Sequence, residues 1–157
     1  MQGSEFDEVE FFRAIARSGA RALLIGRRAL VALGIPVLTA DYDFWIHIDD
    51  CTRFNEAVGP MGLVPTRTPE EARVRGRYML ENDERVDVLL ARTVPTVDGV
   101  RVAFDGLWSR RRELDIAPGV VTAVPSIDDL ILTKRFGGRP KDLEDIRLLE
   151  ALRKEEA

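Results

Sequence analysis

The chain has 157 residues, 45% of them hydrophobic, and a formal net charge of -4. That is enough for one domain with a core of its own and too little for two. The acidic balance excludes the global basic excess of a dedicated nucleic-acid binder. A single cysteine, Cys51, excludes an intramolecular disulfide and a thiolate metal cluster within one chain.

Glu5, Asp7, Glu8 and Glu10 stand where a secretion signal needs a basic start and an apolar core. No apolar run approaches the roughly 20 residues of a membrane span. The expectation is a single cytoplasmic domain, residues 1–157, with no membrane association. Positive charge is nevertheless gathered locally, at Arg27-Arg28, at Arg73, Arg75 and Arg77, at Arg110-Arg111-Arg112, and from Lys134 to Lys141.

Between Glu5 and Ser18 the apolar residues Phe6, Val9, Phe12 and Ile15 recur every three positions, with acids early and Arg13 and Arg17 late. This predicts a helix with one buried stripe. Ala22-Leu23-Leu24-Ile25 is short, apolar throughout and ends at Gly26, as an inner strand buried on both faces does. Residues 28–33 are good helix material, stopped by Gly34 and Pro36. A second strand is predicted over 41–48. Asp49-Asp50 then opens a helix to about Val58, which Gly59-Pro60 ends.

Two further strands are expected at 76–81 and 84–91, joined by a polar turn at Asn82-Asp83. Arg73, Arg75 and Arg77 alternate as strand residues would, either as an exposed basic edge or as a track for RNA phosphates. From Thr93 to Val124 the pattern is weak, with turns at Asp98-Gly99 and Pro118-Gly119 and a short helix around Trp108. Ser126 and Asp129 form a variant capping box for a helix to about Arg135. A last helix starts near Pro140 and buries Leu143, Ile146, Leu149 and Leu152.

Side chains alternate across a strand, so Asp41 and Asp43 share one face and Tyr42 and Phe44 the other. Two neighbouring carboxylates repel unless water, a basic side chain or a divalent cation compensates. The pair is therefore either the wet side of a half-buried sheet or a site for a cation such as Mg²⁺. Asp87, inside the apolar run Arg85-Val86-Asp87-Val88-Leu89-Leu90, is costly to bury unpaired and would converge on the pair if its strand lay beside the first. Gly26, between a buried strand and a helix start, lets backbone amides approach a phosphate, with Arg27 and Arg28 adding charge.

Lys134 falls on the same helical stripe as Ile127, Leu130 and Ile131, either to snorkel at the helix end or to reach a site holding phosphate or carboxylates. Arg139, Lys141, Asp142 and Asp145 cluster at the start of the last helix, where acids ordinarily serve the helix dipole. His47 is the only histidine, so a histidine-rich metal site is excluded.

The order of Gly26, Asp41-Tyr42-Asp43 and Asp87 resembles the nucleotidyltransferase superfamily that includes DNA polymerase beta. The segments Asp128-Asp129-Leu130 to Lys134 and Arg139-Pro140-Lys141-Asp142-Leu143-Glu144-Asp145-Ile146 resemble the last motif of the abortive-infection type nucleotidyltransferase toxins and their small relatives. The resemblance covers about residues 20–152. It implies an α/β (α+β) fold, with a small mixed sheet flanked by helices and C-terminal helices packed on it.

By that resemblance, Asp41, Asp43 and Asp87 bind a pair of Mg²⁺ or Mn²⁺ ions and carry catalysis, and Asp87 helps deprotonate the acceptor hydroxyl. Gly26, Arg27, Arg28, Lys134 and Arg139 hold phosphates of a nucleoside triphosphate, with Lys141, Asp142 and Asp145 in support. The acceptor could be RNA, a protein or a small molecule, and a partner chain or second copy could complete the cleft. Arg27 departs from the family turn, which has Gly or Ser there. The alternative expectation is accordingly a catalytically degenerate binding or regulatory protein, such as one member of a toxin–antitoxin pair.

Overall fold

The computed structural model describes residues 6–157. Helix α1, Glu8–Ser18, is capped by Asp7, whose carboxylate accepts from the Glu10 amide at 3.0 Å. The expected start at Glu5 lies outside the described residues. Phe12 and Ile15 are buried as the stripe requires, Phe11 is buried with them, and Phe6 and Val9 are half-buried. Strand β1, Ala22–Ile25, runs directly into helix α2, Gly26–Ala32, and β2 is Tyr42–Ile46. A single 3-10 turn at Ile48–Asp50 leads into α3, Cys51–Val58.

The next segment is built differently from its strand-like arginine pattern. After the short strand β3, Val64–Pro65, comes helix α4, Pro69–Arg75, and only then β4, Arg77–Glu81, and β5, Arg85–Leu89. Arg73 and Arg75 are therefore helical, and Arg77 alone lies on a strand. The cause is local: Thr68 and Glu71 exchange bonds in a full capping box, and Pro69 occupies the first turn.

Strands β6, Thr93–Pro95, and β7, Arg101–Ala103, form a hairpin followed by α5, Phe104–Ser109. Strands β8, Arg112–Ala117, and β9, Val120–Val124, form another across Pro118-Gly119. Helix α6, Ile127–Lys134, is capped by Ser126, and α7, Pro140–Glu156, ends the chain.

The main sheet has seven strands in the order β3-β4-β5-β2-β1-β9-β8. Strand β2 pairs antiparallel with β1 and parallel with β5, and β1 pairs parallel with β9. One face carries Leu24, Phe44, Ile46, Leu80 and Val88 into the larger core, which α1 and α3 close with Phe11, Phe12 and Phe54. The other face is covered only in part. Leu23, Ile25 and Trp45 pack with Val102, Phe104 and Leu107, and Trp45 Nε1 donates to the Ala91 carbonyl at 2.8 Å. The uncovered part of that face is where the charged residues of β2, β4 and β5 stand.

Leu143 was expected inside and is 53% exposed. Helix α7 instead turns Asp142, Asp145, Ile146 and Leu149 inward. Asp142 and Asp145 hold basic partners there, and this rotates Leu143 out to solvent.

Candidate active site

The β1–α2 turn brings backbone closest to the carboxylates. Gly26 has φ +69°, and a Cβ there would collide with Asp43 Oδ2 and stand 3.0 Å from Asp43 Cβ and Cγ. Only glycine relieves both the backbone geometry and the contact. Strand pairing then sets a row across four strands: Ile25 opposite Asp43, Asp43 opposite Asp87, and Asp87 opposite Met79. Asp43 and Asp87, 44 positions apart in sequence, are thus direct neighbours on adjacent parallel strands. Asp41 precedes β2, exposed, on the same side of the chain.

The acids act on one another. Burial pushes the Asp43 carboxyl up to about 6, with the charges of Asp87 and Asp41 adding to it and Lys134 and Lys141 opposing. Arg85 lies 3.3 Å from Asp87, but it is 56% exposed and screened by water. Among the described residues, no group of three or more His, Cys, Asp or Glu side chains is placed to hold a metal ion by itself. The donor set is the adjacent pair Asp43 and Asp87 with Asp41 close by, its negative charge opposed only in part by Lys134, Lys141 and the exposed Arg85. It fits a hard divalent cation such as Mg²⁺ that shares its coordination sphere with substrate phosphates.

Lys134 has a definite partner. Its ammonium lies 2.7 Å from Asp145 Oδ2 with both side chains buried, and Arg27 Nη2 stands 3.1 Å from the other oxygen of the same carboxylate. Arg27 also donates to the Leu38 carbonyl at 3.3 Å. The two cations on one buried acid tie α2, α6 and α7 together along the wall of the cleft, which both Arg27 and Lys134 line. Arg27 therefore neither swings free toward solvent nor fills the space above Asp43.

Arg28 departs from its expected place. Successive helical residues point about 100° apart, and Arg28 leaves the cleft side to lie 4.1 Å over the Tyr42 ring and to donate to the carbonyls of Thr39 and Asp41 at 3.4 Å. It does not line the cleft. Arg139 does, holding Asp142 through two bonds of 3.1 and 3.2 Å, and Lys141 lines it as an exposed side chain. His47 accepts from the Asp49 amide at 3.1 Å and meets Phe104 edge-on, away from the carboxylates.

The cleft above the row measures about 1110 Å³. Besides the expected residues, Arg67, Arg75, Arg77, Met79 and Gly137 line it. Nothing local marks Arg67 as a cleft residue. Only its spatial partner does, since its Nη1 donates to the Arg77 carbonyl at 2.7 Å.

No protein-family model and no curated protein matches the chain. Solved structures do. The lincosamide antibiotic adenylyltransferase LnuA, lincomycin-bound, is similar with a TM-score of 0.62, over 94% of this chain and 98% of that one, at 14% identity. The antibiotic-resistance factor ANT(2'')-Ia, in complex with adenylyl-2''-tobramycin, gives 0.61 over 94% and 88%, at 17% identity. A candidate nucleotidyltransferase from Thermotoga maritima gives 0.60 over 92% and 87%, at 14% identity. The chain has the nucleotidyltransferase fold, a mixed sheet flanked by helices. At these identities the likeness is one of fold.

Proposed function

We propose that the protein is a Mg²⁺-dependent nucleotidyltransferase that moves a nucleoside monophosphate from a nucleoside triphosphate to a hydroxyl acceptor, with residues 1–157 acting as one domain. The observation that carries this reading is the row Gly26, Asp43 and Asp87, in which a glycine turn and two carboxylates meet at the floor of one cleft. The antibiotic adenylyltransferases of the same fold support it, one of them bound to an adenylylated product.

Asp41, Asp43 and Asp87 would hold the metal, Mg²⁺ or Mn²⁺. When bound, it polarises the phosphoryl oxygens and neutralises the triphosphate and departing pyrophosphate. Asp87, on the open side of the row, accepts the acceptor's hydroxyl proton. The hydroxyl oxygen bonds to the α-phosphorus while the bond from that phosphorus to the bridging oxygen breaks, and pyrophosphate leaves with the electron pair. Gly26 opens backbone space for the phosphates beside Asp43. Arg139 and Lys141 supply cations at the mouth, and Arg27 and Lys134 contribute positive potential from the wall while holding Asp145. A cytoplasmic setting, where nucleoside triphosphates are supplied, goes with this reading. Among the described residues no helix is long and apolar enough to cross a membrane.

Titration calorimetry with each nucleoside triphosphate and Mg²⁺ tests it. The wild type should bind at least one, and Asp43→Asn should bind it at least 10-fold more weakly while keeping or slightly raising its thermal stability, since a repelling charge is removed. A wild type that binds none refutes the proposal. The bonding of Arg27 to Asp145, where the family turn has Gly or Ser, favours one second reading: a protein that keeps the fold as a regulatory or toxin–antitoxin component without transfer. In that case Asp41→Asn and Asp43→Asn leave its biological effect intact.

A further inference from the structure

The cleft is chemically lopsided. Its floor carries acids, while the end over β4 carries Arg67, Arg75 and Arg77. Gly76 closes α4 and turns the chain straight into β4, so Arg75 and Arg77 flank a tight turn held by bonds from the Leu90 and Ala91 amides to the Gly76 carbonyl at 2.7 and 3.1 Å. Arg67 is folded onto the same place by its bond to the Arg77 carbonyl. Three arginines thus line this stretch of the cleft, and although the Glu71 carboxylate feels the charges of Arg67 and Arg75, among the described residues none of the three forms an ion pair within 4 Å.

An exposed basic strand ordinarily protects a sheet edge from pairing. That purpose is weak here, since β3 already pairs with β4 and Arg67 occupies the Arg77 carbonyl. Register puts Arg77 on the same face as Asp87 and two residues along, since Arg77 pairs with Leu89 and Met79 with Asp87. Such diagonal neighbours stand about 7–8 Å apart. A group held by these arginines would lie within a few bonds of a hydroxyl presented to Asp87.

We infer that the acceptor is a small phosphorylated hydroxyl compound, its phosphate held by Arg67, Arg75 and Arg77 while its hydroxyl faces Asp87. This rests on the nucleotidyltransferase reading above. Guanidinium groups match phosphate oxygens in bidentate geometry. A polyamine such as tobramycin, cationic at neutral pH, would meet like charge at this end. An extended polynucleotide needs a basic stripe continuing across the surface, whereas the chain is acidic overall, at -4.

The test is binding first and transfer second. Ribose 5-phosphate and ribose are titrated into the full chain by calorimetry, against the wild type and an Arg75→Gln/Arg77→Gln variant whose folding is checked by thermal melting. Expected are binding of ribose 5-phosphate at least 10-fold tighter than ribose, a loss of at least 10-fold in the variant, and ATP–Mg²⁺ affinity within twofold of wild type. Equal binding of the two sugars, or equal weakening of ATP, overturns the assignment. This binding result stands whether or not transfer occurs, so failure of the nucleotidyltransferase reading is separately visible in the ATP titration. In the transfer arm, labelled ATP is offered with sugar phosphates, their dephosphorylated forms, tobramycin and a short RNA. Transfer favouring sugar phosphates supports the inference; a preference for tobramycin or for RNA overturns it.

Discussion

Substituting Gly26 by alanine separates two costs that the structure keeps distinct. The first is the left-handed backbone at φ +69°, which costs a non-glycine residue about 1–2 kcal/mol. The second is the new Cβ, which collides with Asp43 Oδ2 and reaches 3.0 Å from Asp43 Cβ and Cγ. Those atoms sit next to the β2 backbone and cannot swing aside as the tip of a long side chain would. Overpacking of this kind adds about 1–3 kcal/mol, so Gly26→Ala should lose about 2–5 kcal/mol in all. For a chain of this size that lowers the melting temperature by roughly 5–15 °C.

Gly34 provides the control. Its φ is +91°, and nothing lies within 4 Å of an added Cβ, so Gly34→Ala should show only the backbone cost of about 1–2 kcal/mol. Urea denaturation of the two variants gives the difference directly. Because the collision also displaces Asp43, and misplacement by about 1 Å can cost a reaction about 100-fold, nucleotide binding and transfer should fall in Gly26→Ala and not in Gly34→Ala. Equal losses of stability in the two variants would refute the contact between the turn and the carboxylate.

The remaining expectations concern the supports of the site. Asp145→Ala strands two cations, and breaking a buried ion pair from one side costs about 3–5 kcal/mol; chemical denaturation should show it, with Lys134→Met/Asp145→Leu recovering part of the loss. Arg28→Ala should leave nucleotide affinity unchanged in calorimetry while losing about 0.5–1 kcal/mol of stability with the Tyr42 contact. At Asp50, burial pushes the carboxyl up, but hydrogen bonds from the Arg21 side chain and amide outweigh it and hold it below its usual value. The folded-state value being the lower one, this stabilisation is complete above the unfolded-state value of about 4 and is lost as pH falls through the folded-state value. Wild type should therefore exceed Arg21→Gln by about 1 kcal/mol at neutral pH, and the difference should shrink as pH falls below about 4.

What the sequence disclosed depended on the range of the interaction. Strand β2 and the turn at Gly26 were legible because alternation and glycine placement are local signals. The meeting of Asp43 with Asp87 could be posed only as a condition, since parallel pairing is not written in either strand. Arg27 could be read at the glycine turn but not joined to Asp145, because that partner lies 118 residues away. The arginines at 73, 75 and 77 misled because their alternation spans a helix end, a glycine turn and a strand start. The Thr68-Pro69 cap before them was the better signal. Leu143 misled for a related reason: Asp142, bonded to Arg139 at the helix start, and Asp145, whose partners stand on other helices, claim the inward face.

The sheet contains two parallel seams, β2 against β5 and β1 against β9, and every other strand pair in it is antiparallel. The hairpins β4–β5 and β8–β9 can form from near neighbours in sequence, but the seams close only when distant segments find one another, which is slow. Asp43 and Asp87 face each other across one of these late seams and repel. The protein therefore closes this seam against like charge, and it holds the seam with four register pairs where Leu23–Ala123 alone joins β1 to β9. A bound divalent cation would staple β2 to β5, and slower amide hydrogen exchange along Tyr42–Ile46 and Arg85–Leu89 would be its signature.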